Sequence, residues 1–344
     1  MYEWLFIHLK GELALIVDTS FATDPEGIHK LTIPTPFPVG PVNVYIVAED
    51  DSVTLFDAGP KTEDAWDAFT QQLNRAGFSI HDIDQVILTH HHPDHCGLLD
   101  WLLEKKNLPV LAHPSAEPWV TQDADFFAWY HQYFARIFRT AGVDEESAKR
   151  AFEVFEVLRH LSCRISLNQK LREGTPIPGM QDWQVVETPG HAQSHLVFYR
   201  EKDGVLLAGD HLIKEVSPNP VMEPPIRSGE ERPKALIRYR ESLIKCKQLK
   251  VNTAFSGHGE EITDVQALIR RRLSEQEERR QKIKTLMRDQ PLTPFEISQL
   301  LFPYAQKMEI SLTLSEIIGF LDWMEACGEI TGEREEEKIR YRTA

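Results

Sequence analysis

Apolar residues recur along this chain with two periods, and the places where one gives way to the other divide it into regions. VNVYIV and SVTLFD, within residues 41–58, are β-branched and aromatic runs separated by Glu49, Asp50 and Asp51, which predicts a β-hairpin. In TEDAWDAFTQQLNRAGF the apolar Ala65, Trp66, Phe69 and Leu73 return at helical spacing and Gly77 closes the segment. QVILTH predicts a short buried strand at 86–88, LLDWLLEKKN a helix and PVLAH another strand. From about residue 114 to 172 the period is helical. ADFFAWYHQYFARIFRTAG carries Phe126, Phe127, Trp129, Tyr130, Tyr133, Phe134, Ile137 and Phe138, too aromatic a face to be left in water, and ESAKRAFEVFEVLRHL follows as a second helix. Strands resume with WQVVETP, HLVFYR and VLLAGD, so the helical stretch reads as an insertion between two sheet-rich parts.

Beyond about Thr263 the pattern changes again. A long charged helix places Leu268, Ile269, Leu273, Ile283 and Leu286 on one side. Its basic residues Arg270, Arg271, Arg272, Arg279 and Arg280 read as a solvated face partnered by Glu275, Glu277 and Glu278. LTPFEISQLLF then opens with Thr293 as N-cap, Pro294 at the first helical position and Glu296 completing a capping box. LTLSEIIGFLDWMEACGE repeats the plan with Thr313 and Glu316 and ends at Gly328; EITGEREEEKIRYR predicts two short strands around a charged turn. Helix, helix and a two-stranded wing is the layout of a winged-helix module. The expected organisation is a large domain over 1–262, a connecting helix over 263–290 and a winged-helix domain over 291–344. The opening MYEWLFIHLKGELALIVD is broken by Glu3, Lys10 and Glu12 and reads as a strand pair rather than a signal peptide.

Composition narrows the partners. The 344 residues are 42% hydrophobic, ordinary for a globular chain that buries a sizeable core. There is no apolar run of the roughly eighteen residues a membrane span needs. Cys96, Cys163, Cys246 and Cys327 are scattered without a Cys-x-x-Cys pair, which suits a reducing cytoplasm. The net charge of −15 argues against nucleic acid and favours a small-molecule substrate. Residues 291–344 alone hold five Lys or Arg against ten Asp or Glu.

The chemistry concentrates in THHHPDHC, residues 89–96. His90 and His92 lie two apart on a segment leaving a strand, so in extended backbone both imidazoles project to one side and can grip one ion. Asp94 and His95 follow the bend at Pro93 and can reach a second. The bland alternative is an exposed polar loop that happens to be rich in histidine. Three residues weigh against it: His191 after a Pro-Gly turn in ETPGHAQSH, Asp210 at the end of VLLAGD, and His258 between glycines in AFSGHGE. Each alone is more often an ordinary polar residue. Together they place ligand types at strand ends, where separate segments can converge.

The succession His90-x-His92-x-Asp94-His95, His191, Asp210 and His258, with Asp57 in LFDAG, resembles the metallo-β-lactamase superfamily over roughly residues 31–262. The resemblance implies an α/β fold, an αβ/βα four-layer sandwich with two mixed sheets back to back. It implies one ion on His90, His92 and His191, a second on Asp94, His95 and His258, and Asp210 bridging them. Asp57 would orient the ligand loop, and His91 would be a spacer whose loss changes little. Two divalent cations, zinc first with manganese or iron as alternatives, would activate a bridging hydroxide, oriented by Asp94, to attack a thioester, ester or lactone carbonyl. His92 stands where the di-iron oxygen reductases of the superfamily carry glutamate, which favours hydrolysis over redox chemistry.

GDHLIKEVSPNP resembles members that join a hydroxyacylglutathione hydrolase-like core to a C-terminal winged helix. Some relatives with that pairing act on RNA, so a metal-dependent phosphodiesterase or ribonuclease is the alternative. The acidic C-terminal region points instead to a module that packs on the catalytic domain or on a second subunit. The chain departs from the family at Cys96-Gly97-Leu98, where small residues are common, and in its long insertion. Cys96 reads as a buried inert thiol. The aromatic helix reads either as the roof of an acyl pocket or as helix packing or a homodimer face.

Overall fold

The computed structural model describes residues 27–49, 52–303 and 310–344. The strand pair expected at residues 1–18 lies outside them. The first sheet runs β1 (Ile28–Ile33), β2 (Val42–Glu49), β3 (Ser52–Phe56), β4 (Gln85–Ile87), β5 (Val110–Ala112) and β6 (Gln169–Lys170), in that spatial order. β1, β2 and β3 pair antiparallel through the expected hairpin, and β3 to β6 pair parallel. The parallel pairs need crossovers. Helix α1 (Glu63–Arg75) supplies one, the short α2 (Pro93–Cys96) with α3 (Leu99–Lys105) the next, and α4 (Glu117–Val120), α5 (Ala124–Ala141) and α6 (Glu145–His160) the last. The second sheet is β7 (Trp183–Glu187), β8 (Leu196–Arg200), β9 (Val205–Gly209) and β10 (Thr253–Ser256), ordered β10-β9-β8-β7, with β10 parallel to β9.

Strand alternation sorts the side chains between cores. Leu55 and Val86 face α1 and α3, packing on Ala65, Phe69, Leu73, Leu99 and Leu102. Their neighbours Phe56 and Ile87 turn the other way, to meet Trp183, Phe198, Leu207 and Phe255 of the second sheet. Val197, Leu206 and Ala254, on that sheet's far side, pack on Tyr239 and Leu243 of α7 (Ala235–Cys246) and on Leu268 and Ile269 of α8 (Val265–Leu286). The sequence pattern leaves α7 unassigned, because its apolar positions are interrupted by Arg238, Arg240 and Lys245.

The aromatic helix is accounted for by packing. Phe126, Phe127, Tyr130, Tyr133, Phe134 and Phe138 of α5 are buried with Met222, Phe295, Ile310 and Leu314. The last two lie on α10 (Ile310–Ala326), which follows α9 (Pro294–Leu301) and precedes the hairpin β11 (Ile330–Glu335) and β12 (Lys338–Thr343). Thr293 caps α9 as expected: its hydroxyl accepts from Glu296 N at 3.2 Å while Glu296 accepts from Thr293 N at 2.8 Å. Thr313 is not a cap. It lies inside α10, buried, and its hydroxyl donates to the Ile310 carbonyl at 3.2 Å, because the apolar Ile310 and Leu314 draw the helix start upstream.

Arg272 corrects the solvated reading of the basic run. It is 4% exposed and donates to the carbonyls of Ile213, Lys214 and Val216. Arg280 keeps the expected partner Glu277 and adds Glu329. Gly319 of α10 meets Leu236 of α7 so closely that a Cβ would stand 2.9 Å from the Leu236 Cβ. Among the described residues no helix is long and apolar enough to cross a membrane.

Candidate metal centre

Most of the expected ligands stand beyond the end of a strand. β3 runs into Asp57, β4 into Thr89 and His90, β7 into the turn before His191, β9 into Asp210, and β10 into His258. Every one of these residues is buried, as are Asp94 and His95 on α2; His92 is partly buried. Their donor atoms converge. One atom each from His90, His92 and His191 lies within 4.8 Å of the others, as do Asp94, His95 and His258, and a third group joins His90, His95 and Asp210. Asp210 stands between the two sets: Oδ1 is 3.4 Å from His95 Nε2, and Oδ2 is 3.6 Å from His191 Nε2 and 3.4 Å from His258 Nε2.

The opposite ring nitrogens are already engaged. His95 Nδ1 is 2.8 Å from Asp57 Oδ2, His191 Nδ1 is 2.8 Å from the Asn219 carbonyl, and His258 Nδ1 is 2.8 Å from the Pro41 carbonyl. His90 Nδ1 is 3.0 Å from the Thr89 hydroxyl, which itself donates to Asp57 Oδ2 at 2.8 Å. Such partners fix tautomer and ring orientation and turn Nε2 inward, where that of His90 lies 3.0 Å from His92 Nδ1. Inside, His95 Nε2, His191 Nε2, His258 Nε2 and Asp210 Oδ1 are buried without a hydrogen-bond partner. Buried polar atoms in that state are costly, and so many around one centre is the arrangement a cation relieves. A Cβ on residue 257 would stand 2.1 Å from Asp210 Oδ1, so glycine is required there.

Electrostatics divide the ligands. Burial, helped by neighbouring imidazoles, holds His90 and His92 well below the usual histidine range, so they offer lone pairs. Burial also lowers His191. Burial would depress His95 too, but the carboxylates of Asp210, Asp57 and Asp94 outweigh it and hold it well above the ordinary value. The same competition, won by Asp210 and Asp94, raises His258 to about 10. Burial opposes ionisation of Asp210, yet His258 and His95 keep its carboxyl well below the usual range. Among these carboxylates His95 and His258 are drawn toward the cationic form, a demand for positive charge that a metal would meet.

Comparison with known proteins gives this constellation a family. The Metallo-beta-lactamase superfamily matches residues 37–258, which include every converging residue. The chain belongs to that superfamily. The probable metallo-hydrolase YqjP of Bacillus subtilis is 40% identical over 318 residues, 92% of this chain and 98% of that protein. A second probable metallo-hydrolase of that organism, YflN, is 29% identical over 68% of this chain and 84% of its own. The crystal structure of the metallo-beta-lactamase family protein TTHA1429 from Thermus thermophilus superposes with a TM-score of 0.77 at 28% identity, covering 92% of this chain and 99% of that one. The chain is thus a metallo-hydrolase of the superfamily, whose His and Asp clusters are able to bind metal.

Three neighbours of the centre escaped the sequence reading. His195, four residues after His191, accepts from Asp210 N at Nε2 (3.1 Å) and meets the Thr188 hydroxyl at Nδ1 (2.9 Å), so it positions Asp210 rather than competing with it. Its signal was the second histidine of HAQSH. His91 is no idle spacer. It is 3% exposed, stacks on Trp119 at 4.3 Å between centroids, and sits 2.7 Å from the Ser194 hydroxyl and 3.3 Å from Glu223 Oε1. Glu223 is buried, its carboxyl raised to about 7 by that burial, and no spacing rule links it to residues more than a hundred positions upstream. Cys96 is buried with its thiol on the His91 carbonyl at 3.3 Å, outside the converging set.

Proposed function

We propose that this chain hydrolyses a thioester, ester or lactone in the cytoplasm, using two divalent cations, zinc foremost. The observation that carries the reading is Asp210, whose two carboxylate oxygens face His95 on one side and His191 and His258 on the other. His90, His92 and His191 would hold one ion; Asp94, His95 and His258 the other; Asp210 would touch both. Cations held in such a pair polarise a carbonyl oxygen and bring the pKa of a water toward neutrality. The chain's own part is to aim the ligands through Asp57, Thr89, Asn219 and Pro41, to keep Asp94 and Asp210 ionised, and to close the floor of the site to bulk water by burial.

The residues from 291 onward read as a winged-helix domain appended to a four-layer sandwich over 1–262, with α8 joining them. Nucleic acid is disfavoured as its partner. Thr313, Leu314, Ile317, Phe320, Leu321 and Met324 of α10 are buried within the chain, so the helix that would enter a groove is already covered. Asp322 of that helix is held by Arg232. A panel of p-nitrophenyl esters, S-lactoylglutathione, acyl-CoA and lactones, set against bis-p-nitrophenyl phosphate and single-stranded RNA with and without chelator, tests the reading. Cleavage of carbonyl substrates, lost on chelation and restored by zinc, is expected; predominant chelator-sensitive phosphodiester cleavage would reverse it.

A further inference from the structure

We propose that the C-terminal helices are a positioning device for the metal centre: α8 and α10 clamp the irregular segment 211–225, whose backbone in turn sets the ring of His191. The inference rests on the metal-holding reading above.

Segment 211–225 contains no helix or strand, and prolines at 218, 220, 224 and 225 remove the N–H groups with which it could stiffen itself. It is held from outside. Arg272 of α8 donates to the Ile213, Lys214 and Val216 carbonyls at 2.8, 3.0 and 2.7 Å, and Arg271 donates to Lys214 O at 2.7 Å. From α10, the Leu312 carbonyl accepts from the Asn219 side-chain amide at 3.0 Å and the Ser315 hydroxyl accepts from Met222 N at 3.0 Å. Just beyond the segment, Arg232 forms a two-pronged ion pair with Asp322.

The same residues face the metal centre on their other side. The Asn219 carbonyl accepts from His191 Nδ1 at 2.8 Å, and Val221 N donates to the His191 carbonyl at 3.2 Å. Glu223 brings Oε1 to within 3.3 Å of His91 Nε2 and 3.9 Å of His92 Nε2, while Oε2 accepts from Gln193 N at 3.0 Å. Asn219 therefore makes one bond outward to α10 and one inward to a ligand. Two of the three histidines of the first ion set abut this segment, whereas His95 is supported by Asp57 and His258 by Pro41. A shift of α10 reaches His191 through a single residue. Asn219 and Ser315 are positioning residues: neither touches a reacting atom.

The test uses the full chain carrying Asn219→Ala together with Ser315→Ala, which keeps the Asn219 carbonyl and removes both bonds to α10. Zinc affinity is read by competition with a chromogenic chelator, and ligand geometry by the visible spectrum of the cobalt(II)-loaded protein. The expected result is about ten- to a hundredfold weaker binding at one of two sites, with altered cobalt bands, the other site holding near wild-type affinity. Restoring a hydroxyl with Ser315→Thr recovers part of the loss. Arg340→Ala, which removes the ion pair with Glu296 inside the C-terminal region, is expected to lower stability without changing either metal readout. Should the double variant not fold, Asn219→Ala alone carries the same expectation. Wild-type affinity and spectrum in a folded variant would overturn the proposal, as would an equal loss in Arg340→Ala. A wild-type chain that binds no metal would instead remove the reading beneath it.

Discussion

Asp57 occupies a backbone conformation that few non-glycine residues adopt, φ 61°, at the end of β3. Its surroundings explain the strain. One carboxylate oxygen accepts from Thr89 N and the other from the Thr89 hydroxyl and the His95 ring, so a single side chain braces the start of the ligand loop and one of its ligands. Asp57→Ala should leave the direct ligands in place yet weaken metal binding about ten- to a hundredfold, measurable by zinc competition. Asp210→Ala goes further, because both donor sets lose their shared carboxylate; metal content and hydrolysis should fall together, read by elemental analysis on the assayed sample. His91→Ala, which the resemblance implies would change little, opens a void against Trp119 and takes away the ring beside the Ser194 hydroxyl and Glu223 Oε1. It should cost about 2–3 kcal/mol of stability in urea unfolding, with an effect on catalysis smaller than that of His92→Ala. An unchanged urea midpoint for His91→Ala would show that this buried environment is not worth what the geometry implies.

At the scale of elements, the legible parts are those that local chemistry determines. Thr293, Pro294 and Glu296 announce the start of α9, and its two reciprocal bonds are present. Thr293→Ala should lower stability by about 1 kcal/mol without touching activity, seen as a shift in unfolding midpoint. The histidines and aspartates that converge were legible because such residues at strand ends are rare enough to be noticed together. Thr313 misled because the same Ser/Thr-x-x-Glu spelling occurs inside a helix, where burial of Ile310 and Leu314 overrides a local cap signal. Arg272 misled because helical i,i+3 and i,i+4 partners are visible in sequence, whereas the carbonyls of residues 213–216 are contributed by a distant loop. Glu223 and Asn219 were invisible for that reason too: their roles depend on a segment without periodicity folding back over the site.

At the scale of the whole molecule, the C-terminal region is not a loosely tethered appendage. Its α10 shares one core with the aromatic insertion and another with α7 and α8. The guanidinium groups of Arg240 and Arg280 lie over the Trp323 ring, 3.7 and 4.7 Å from its centroid. The imidazoles that burial holds below their ordinary value make the fold sensitive to acid, whereas His95 and His258, held up by carboxylates, act in the opposite sense. His211 is lowered to about 3, chiefly by burial. A histidine depressed in the folded state stays neutral there while the unfolded chain protonates below about 6.5. Its stability contribution is therefore present above that pH and is lost as pH falls, by about 2 kcal/mol at pH 5. Unfolding midpoints of chelator-treated protein should fall between pH 7 and 5, and His211→Gln should flatten that slope.

The central claim, that buried imidazoles and carboxylates from separate strand ends form one cage for a pair of cations, is tested most directly by elemental analysis of purified protein during stepwise chelation, with carbonyl-substrate hydrolysis followed on the same samples. Two divalent ions per chain are expected, with activity that vanishes as they are removed and returns with zinc. Full hydrolysis by a chain stripped of metal would contradict that claim.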